Sequence, residues 1–173
     1  MRRRGGFTLI EIMVVMVIIA VMAGLLVPRL PDVGASRLKY GARKIAGTIS
    51  YMYDRAAATG MVYRLTMDME KNEFNVWLLN KENVFEETRL PFAKKTKLSG
   101  QLHIAGVQTA GEGKAVKGEA AIHFYPGGFT EEAAIYLTDE AGREMTLTVA
   151  PLTGRVKILE GYHALKIFTA RPV

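Results

Sequence analysis

The pattern of apolar and polar positions divides the chain into three parts, and the first is apolar on every side. From Phe7 to Val27 there are 21 residues, of which Glu11 alone is charged. As a helix with a rise of about 1.5 Å per residue, this run is about 31 Å long, the thickness of a bilayer's hydrocarbon core. The pattern therefore predicts a membrane-spanning helix over residues 7–27.

Three other interpretations of this run fit it less well. A buried helix of an ordinary soluble core is shorter than 21 apolar residues. A secretory signal peptide has an apolar region of about 7–15 residues followed by small residues at its cleavage site, whereas Leu25, Leu26 and Val27 precede a proline here. A plain membrane anchor fits the length but gives Glu11 no role, although an acid inside a membrane helix costs roughly 2.5–3.5 kcal/mol.

The second part returns to a helical period between Ala35 and Thr59. Its apolar residues recur at spacings of three and four, which places them on one helix face: Leu38, Ala42, Ile45, Ile49, Met52 and Ala56. This stripe predicts an amphipathic helix packed on the rest of its domain, with Gly60 as its end. The segment from Pro28 to Gly34 contains two prolines and a glycine, which predict a bend between the two helices.

In the third part, from Met61 onward, apolar and polar residues alternate, as in half-buried strands. Residues 61–69 and 74–78 predict a hairpin around the turn Glu70-Lys71-Asn72. Further strands are predicted at 84–90, 102–107, 121–125, 134–138, 145–149 and 156–158. Residues 111–118 are interpreted as a flexible connection, and Lys94, Lys95 and Lys97 as a solvated basic loop. The expected fold is α+β, with the amphipathic helix covering one face of an antiparallel sheet.

Charge and cysteine content change this picture only slightly. The formal net charge falls from +6 to +3 when Arg2, Arg3 and Arg4 are removed, so the basic balance is weak evidence for nucleic-acid binding. Those three arginines flank the first apolar helix and favour a cytoplasmic N-terminus. The chain has no cysteine, so an exported domain would depend on packing without disulfides.

A short motif lies where the basic leader meets the apolar run. Gly6-Phe7-Thr8-Leu9-Ile10-Glu11 resembles the processing site of type IV pilins and type II secretion pseudopilins. The resemblance implies that a prepilin peptidase cuts after Gly6 and methylates the amine of Phe7, and that Glu11 guides the subunit into a filament. Glu11 lies four residues after Phe7, on the same helix face, where the new amine can be offered to it by its own helix or by a neighbour.

Two later motifs extend the resemblance to the C-terminal half. Residues 122–129, Ile-His-Phe-Tyr-Pro-Gly-Gly-Phe, and residues 153–157, Thr-Gly-Arg-Val-Lys, are similar to the end of the H-type minor pseudopilins and the related FimT minor pilins. The resemblance implies a type IV pilin-like fold and four segments. These are a leader (1–6), a transmembrane and filament-core helix (7–27), a bent amphipathic continuation of it (28–60) and a periplasmic antiparallel β domain (61–173).

The function that the resemblance implies is structural. The chain would be a minor pseudopilin near the tip of a type II secretion pseudopilus, and would aid export of folded proteins across the outer membrane. It would be anchored in the bacterial inner membrane with a cytoplasmic N-terminus. The expected partners are the prepilin peptidase, the other major and minor pseudopilins, inner-membrane lipid and the secreted exoproteins.

An alternative function comes from the FimT branch, in which a Gly-Arg-x-Arg run contacts DNA for uptake. Here the run is Gly154-Arg155-Val156-Lys157. Lysine at the last position keeps the positive charge but lacks the paired N–H donors with which arginine binds a phosphate. Arg155 and Lys157 are therefore candidate DNA contacts of a minor type IV pilin that binds DNA or primes pilus assembly. Equally, both can lie on an exposed edge strand, where charges block edge pairing. Secretion is favoured, and nucleic acid is not an expected partner.

The sequence predicts no catalytic, metal or cofactor site. Its three serines and three histidines form no motif that pairs a nucleophile with a base. His103 and His123 are expected to be packed or surface residues, and Glu131-Glu132 a solvated turn. An enzyme is therefore not expected.

Overall fold

The computed structural model describes residues 7–26, 33–88, 90, 94–98 and 101–165. The chain divides into two units, Met1–Val33 and Gly34–Val173. Most of the segment with the predicted bend, residues 28–32, lies outside the described residues.

The first unit contains helix α1, Leu9–Leu26. The helix begins after Thr8, whose carbonyl oxygen accepts hydrogen bonds from the backbone N–H groups of Glu11 at 3.1 Å and Ile12 at 3.3 Å. Phe7 and Thr8 precede it, so the helix starts two residues later than predicted. Within the described residues, no helix combines the length and the apolarity that a membrane crossing requires.

The second unit opens with helix α2, Val33–Thr59. The predicted apolar stripe is buried over its whole length, since all six of its side chains from Leu38 to Ala56 are at most 2% exposed. The helix ends where predicted: Gly60 has a φ of +68°, and its N–H donates to the carbonyl of Ala56 at 3.0 Å. A glycine suits this left-handed position after a helix.

The described residues also form eleven strands. In chain order they are β1 Tyr63–Asp68, β2 Glu73–Leu79, β3 Phe85–Glu87, β4 Thr96–Lys97, β5 Leu102–Thr109, β6 Gly113–Ala115, β7 Glu119–Tyr125, β8 Phe129–Thr130, β9 Ala133–Asp139, β10 Glu144–Val149 and β11 Val156–Glu160.

These strands form two antiparallel sheets, where the sequence predicted one. Sheet A has the order β3-β2-β1-β7-β8, with β4 also paired to β2. Sheet B has the order β11-β10-β9-β5-β6. The division arises because β5 pairs with β9, farther along the chain, and not with the hairpin that precedes it.

One core joins helix α2 to both sheets. The α2 stripe, the inward residues of sheet A such as Leu65 and Ile122, and those of sheet B such as Ile135 and Leu147 belong to a single buried cluster. The helix approaches sheet B closely at Gly41, where an added Cβ would lie 2.0 Å from Cδ2 of Leu102. The α+β arrangement of a helix on antiparallel strands is thus as predicted.

Two segments between the strands differ from prediction. Residues 113–115, placed in a flexible connection, form β6 and pair with β5. In the predicted basic loop, Thr96–Lys97 forms β4, and Nζ of Lys95 lies 2.7 Å from Oε1 of Glu73. The loop prediction therefore missed a strand and an ion pair that hold this segment to β2.

Candidate functional site

The residues of the predicted processing site stand at the beginning of α1. Gly6 lies outside the described residues, whereas Phe7 is 76% exposed and Glu11 lies in the exposed first turn of the helix. An acid in a first turn is favoured by the partial positive charge of the unpaired N–H groups there. The roles of Gly6, Phe7 and Glu11 in cleavage, methylation and assembly stay predictions.

The surface of α1 is apolar all round. Every residue from Phe7 to Gly24 is exposed, and Leu9 reaches 87% and Ile10 69%. A helix without a polar face is stable only where lipid or other apolar surfaces cover it, and contiguous exposed apolar area marks an interaction site. This helix is therefore a candidate contact surface of the described chain.

The two C-terminal motifs meet at one residue of α2, Tyr53. Its hydroxyl lies 2.6 Å from the carbonyl oxygen of Gly128, in the first motif, and 2.9 Å from that of Leu152, next to the second. The hydroxyl thus links both motifs to the helix. Sequence reasoning missed Tyr53 because it lies beside the apolar stripe and belongs to no motif.

Gly154 of the second motif packs directly against the Tyr53 ring. Its φ is +60°, and an added Cβ would lie 2.3 Å from Cγ of Tyr53. Both the backbone conformation and the space therefore require glycine.

Arg155 and Lys157, the candidate DNA contacts, are exposed at the edge of sheet B. Arg155 directly precedes β11, and Lys157 lies within it, paired with Thr148 of β10. This matches the alternative prediction of an exposed edge strand, where a charged side chain discourages pairing with another chain. DNA contact itself stays a prediction.

Glu131, predicted to lie in a solvated turn, is instead partly buried and bonded to His123. The backbone N–H of His123 donates to Oε2 of Glu131 at 3.1 Å, and ring Nδ1 lies 3.2 Å from the same oxygen. Burial raises the pKa of Glu131, but the hydrogen bonds from His123 outweigh it, so the pKa lies below its ordinary value. The prediction was wrong because β8 folds back along β7 and brings the two residues together.

The described residues contain no group of three or more histidine, aspartate or glutamate side chains that would hold a metal ion.

The N-terminus of the chain is similar to a family of known proteins. Residues 1–27 match the family model described as the prokaryotic N-terminal methylation motif. The chain carries a prepilin-type methylation motif. Type II secretion system protein H of Pseudomonas aeruginosa is 42% identical over 71 residues, which are 40% of this chain and 41% of that protein. The match thus spans about two-fifths of the relative's length.

Solved structures extend the likeness over most of the chain. Two structures of the minor pseudopilin EpsH from the type II secretion system of Vibrio cholerae have TM-scores of 0.56 and 0.61. They are 12% and 13% identical, and they cover 72% and 75% of this chain and 97% and 98% of their own. GspH of Escherichia coli has a TM-score of 0.56 at 11% identity, over 83% of this chain and 98% of its own.

These likenesses confirm the predicted resemblance to H-type minor pseudopilins. At such low identity the solved structures establish the fold, which is the predicted α+β, type IV pilin-like fold.

Proposed function

We propose that the chain is a minor pseudopilin, a structural subunit near the tip of a type II secretion pseudopilus. The observation that carries this proposal is the presence, in one chain, of a methylation motif at residues 1–27 and an H-type pseudopilin fold. The subunit has no enzymatic role; it contributes to a filament that aids export of folded exoproteins across the outer membrane.

Processing supplies the group that Glu11 needs. A prepilin peptidase hydrolyses the peptide bond between Gly6 and Phe7, and the released α-amine of Phe7 is then methylated. That amine is cationic, and it lies one helical turn from the Glu11 carboxylate or beside the Glu11 of a neighbouring subunit. A buried ion pair of this kind specifies register between helices more than it adds stability.

Location follows from the apolar surface of α1 and the basic leader. Before assembly, the segment around α1 lies in inner-membrane lipid with its N-terminus in the cytoplasm, since three arginines precede it. The β domain then lies in the periplasm. After assembly, the α1 helices of the other major and minor pseudopilins replace lipid as the apolar cover.

DNA uptake is the less favoured function. Type II secretion system protein H and EpsH, which are similar to this chain, come from type II secretion systems. Arg155 and Lys157 are two separate exposed cations at a sheet edge. Two phosphate contacts would support only weak binding with a shallow salt dependence.

Processing and assembly are tested together in cells that express the full chain with the prepilin peptidase and the other pseudopilins. We expect the mature protein to begin at N-methyl-Phe7 by mass spectrometry and to copurify with the other pseudopilins. Gly6→Val should leave the leader attached and abolish copurification, because a branched side chain replaces hydrogen next to the scissile bond. The matched control is Gly24→Ala, which lies in the same segment and meets nothing within 4 Å.

Other results would contradict the proposal. A mature protein that keeps Arg2, Arg3 and Arg4, or that loses the whole apolar segment, excludes this processing. Tight binding of duplex DNA by the full chain at moderate salt, lost in Arg155→Ala, would instead support DNA uptake.

A further inference from the structure

The outward face of sheet A carries a cluster of aromatic side chains around one arginine. We name it the Arg64 patch, and it consists of Arg64, Trp77, Phe85, His123, Tyr125 and Phe129. Cross-strand register places Arg64 between Trp77 of β2 and His123 of β7. The rings continue from there, since Tyr125 and Phe129 stack with centroids 4.6 Å apart.

Aromatic rings hold the Arg64 guanidinium in place. Its Cζ lies 4.0 Å from the ring centroid of Phe85 and 5.9 Å from that of Trp77. A guanidinium stacked on a ring uses its flat face and leaves the N–H donors at its edge, where a carboxylate binds in a bidentate fashion. Because the group is already positioned, binding costs less side-chain entropy than at a free arginine.

Arg64 has no acidic partner, unlike three other basic side chains of the domain. Lys71, Lys95 and Arg143 each lie 2.7 Å from a carboxylate oxygen. No hydrogen bond or salt bridge joins the Arg64 side chain to another described residue, and its Nε is buried without a partner. A half-buried arginine without an acceptor is a costly arrangement that a bound anion relieves.

The acids nearest to the patch are occupied by other donors. Glu87, which pairs with Trp77 across β2 and β3, accepts from the side-chain amide of Asn75 at 3.0 Å. Glu131 accepts from His123. Neither carboxylate forms a salt bridge with Arg64, so its guanidinium has no ion-pair partner among the described residues.

Further donors and an opening lie next to Arg64. Nε1 of Trp77 and Oγ1 of Thr66 are also buried without hydrogen-bond partners among the described residues. A cavity of about 100 Å³ is lined by both side chains, and also by the ion-pairing side chains Asp68, Lys71, Glu73 and Lys95, by Asn75 and by Glu119. Tryptophan, tyrosine and arginine are the residue types that dominate binding energy at protein interfaces.

We propose that the Arg64 patch is a subunit interface that binds an aspartate or glutamate side chain of a neighbouring pseudopilin. The proposal rests on the proposed function, which supplies neighbouring subunits. The partner's carboxylate binds the edge of the Arg64 guanidinium, and apolar atoms beside that carboxylate pack on Phe85, Tyr125 and Phe129.

The test is site-specific photocrosslinking with the full chain in cells that assemble the pseudopilus. A benzoylphenylalanine in place of Tyr125 lies in the patch, and one in place of Tyr162, on the other sheet, is the positional control. We expect the crosslinker at position 125 to react with another pseudopilin, identified by its own antibody, and the one at position 162 not to react.

Variants of Arg64 test its part in this contact. Arg64→Gln should lower the crosslink yield at position 125 by about fivefold or more. Arg64→Lys should lower it by less, because lysine keeps the positive charge without the paired N–H donors of the guanidinium. Lys157→Gln, which removes an exposed cation elsewhere, should change nothing.

Two further variants distinguish a contact from damage to the fold. Phe85→Leu removes the stacked ring but keeps Arg64, and should lower the yield two- to threefold at about unchanged thermal stability. Once the crosslinked segment is mapped, its nearest acid is changed to the amide. The loss should equal that of Arg64→Gln, and the double variant should show no additional loss.

Each other outcome overturns the proposal. Yields that do not depend on Arg64, or losses that add in the double variant, mean that Arg64 binds no carboxylate of the partner. Absence of crosslinks at position 125, while the wild type copurifies with other pseudopilins, refutes the interface and leaves the proposed function intact. Absence of both crosslinks and copurification refutes both.

Discussion

Tyr53 shows how a single residue connects segments far apart in the chain. Its hydroxyl meets carbonyl oxygens 75 and 99 residues away, and its ring fills the space that Gly154 leaves. The glycine of the second motif is thus required by packing as well as by its backbone conformation. This gives the motif a physical reason that does not involve DNA.

Replacing Gly154 should reveal that packing when it is compared with a glycine in open space. Gly154→Ala and Gly142→Ala both place alanine at positive φ, +60° and +74°. Strain alone should cost each about 1–2 kcal/mol of unfolding free energy. Gly154→Ala should cost about 1–3 kcal/mol more, because its Cβ overlaps the Tyr53 ring while nothing lies within 4 Å of Gly142.

Urea denaturation of both variants in one detergent measures the difference. Equal losses would mean that the Tyr53 ring moves aside without cost, and would remove the packing explanation for Gly154.

For single residues, the sequence predicted the motifs better than it predicted which residues contact one another in the fold. Gly6, Phe7 and Glu11 stand in a fixed local order, which a sequence displays directly. The contacts of Tyr53 and of Glu131 depend on residues brought together by the fold. The local sequence around either residue does not indicate these contacts.

Among the elements, the hairpins β1–β2 and β9–β10 share one turn design. Oδ1 of Asp68 accepts from the backbone N–H groups of Glu70 and Lys71, at 3.0 and 2.8 Å. Oδ1 of Asp139 accepts from those of Ala141 and Arg143, both at 3.0 Å. In each turn the aspartate supplies acceptors that the backbone lacks.

The Asp139 turn should make stability depend on pH. Burial raises the pKa of Asp139, but backbone and side-chain hydrogen bonds from Arg143 outweigh it, so the pKa lies below its ordinary value of 3.8. A group with a depressed folded-state pKa stabilises the fold above its unfolded-state pKa, and the contribution disappears as pH falls through the folded-state value. Asp139→Asn should therefore lower the thermal midpoint at neutral pH, and the difference should shrink below about pH 4.

The control is Glu140→Gln, an exposed acid in the same turn. It should leave the thermal midpoint nearly unchanged at every pH. A loss for Asp139→Asn that persists at about pH 2 would show that the effect does not come from the ionised carboxylate.

Elements with a strong period were predicted well, as was the β1–β2 hairpin, but the pairing between strands far apart in the chain was not. The stripe of α2 and the alternation of apolar and polar residues in β1, β2 and β10 are local signals of burial on one side. β6 was missed because three residues beginning with Gly113 are too short to show a period. The division into two sheets depends on β5 choosing β9, a non-local pairing that alternation does not specify.

On the scale of the whole molecule, the two units differ in how they are stabilised. The second unit encloses a core shared by a helix and two sheets. The helix of the first unit exposes apolar residues on every side, so its stability depends on lipid or on other subunits. The first unit therefore offers apolar surface for contacts with other molecules.

Glu11 should be needed for assembly and not for the steps before it. Glu11→Val should still insert and be cleaved after Gly6, because it makes the segment more apolar. It should enter the filament poorly, since the amine of Phe7 then lacks its counter-charge. Mass spectrometry of the N-terminus checks cleavage, and quantifying the protein in purified filaments checks incorporation.

Val14→Ile, at an exposed apolar position one turn further along α1, is the matched control and should incorporate normally. Normal incorporation of Glu11→Val would refute the assembly role.

Trp77 is the chain's sole tryptophan, and it lies beside Arg64 on the outward face of sheet A. Indole emission changes in colour and intensity when a neighbouring charge is neutralised or water is displaced. The protein thus contains its own optical probe at one defined place, and a docking event there alters its fluorescence without any attached dye.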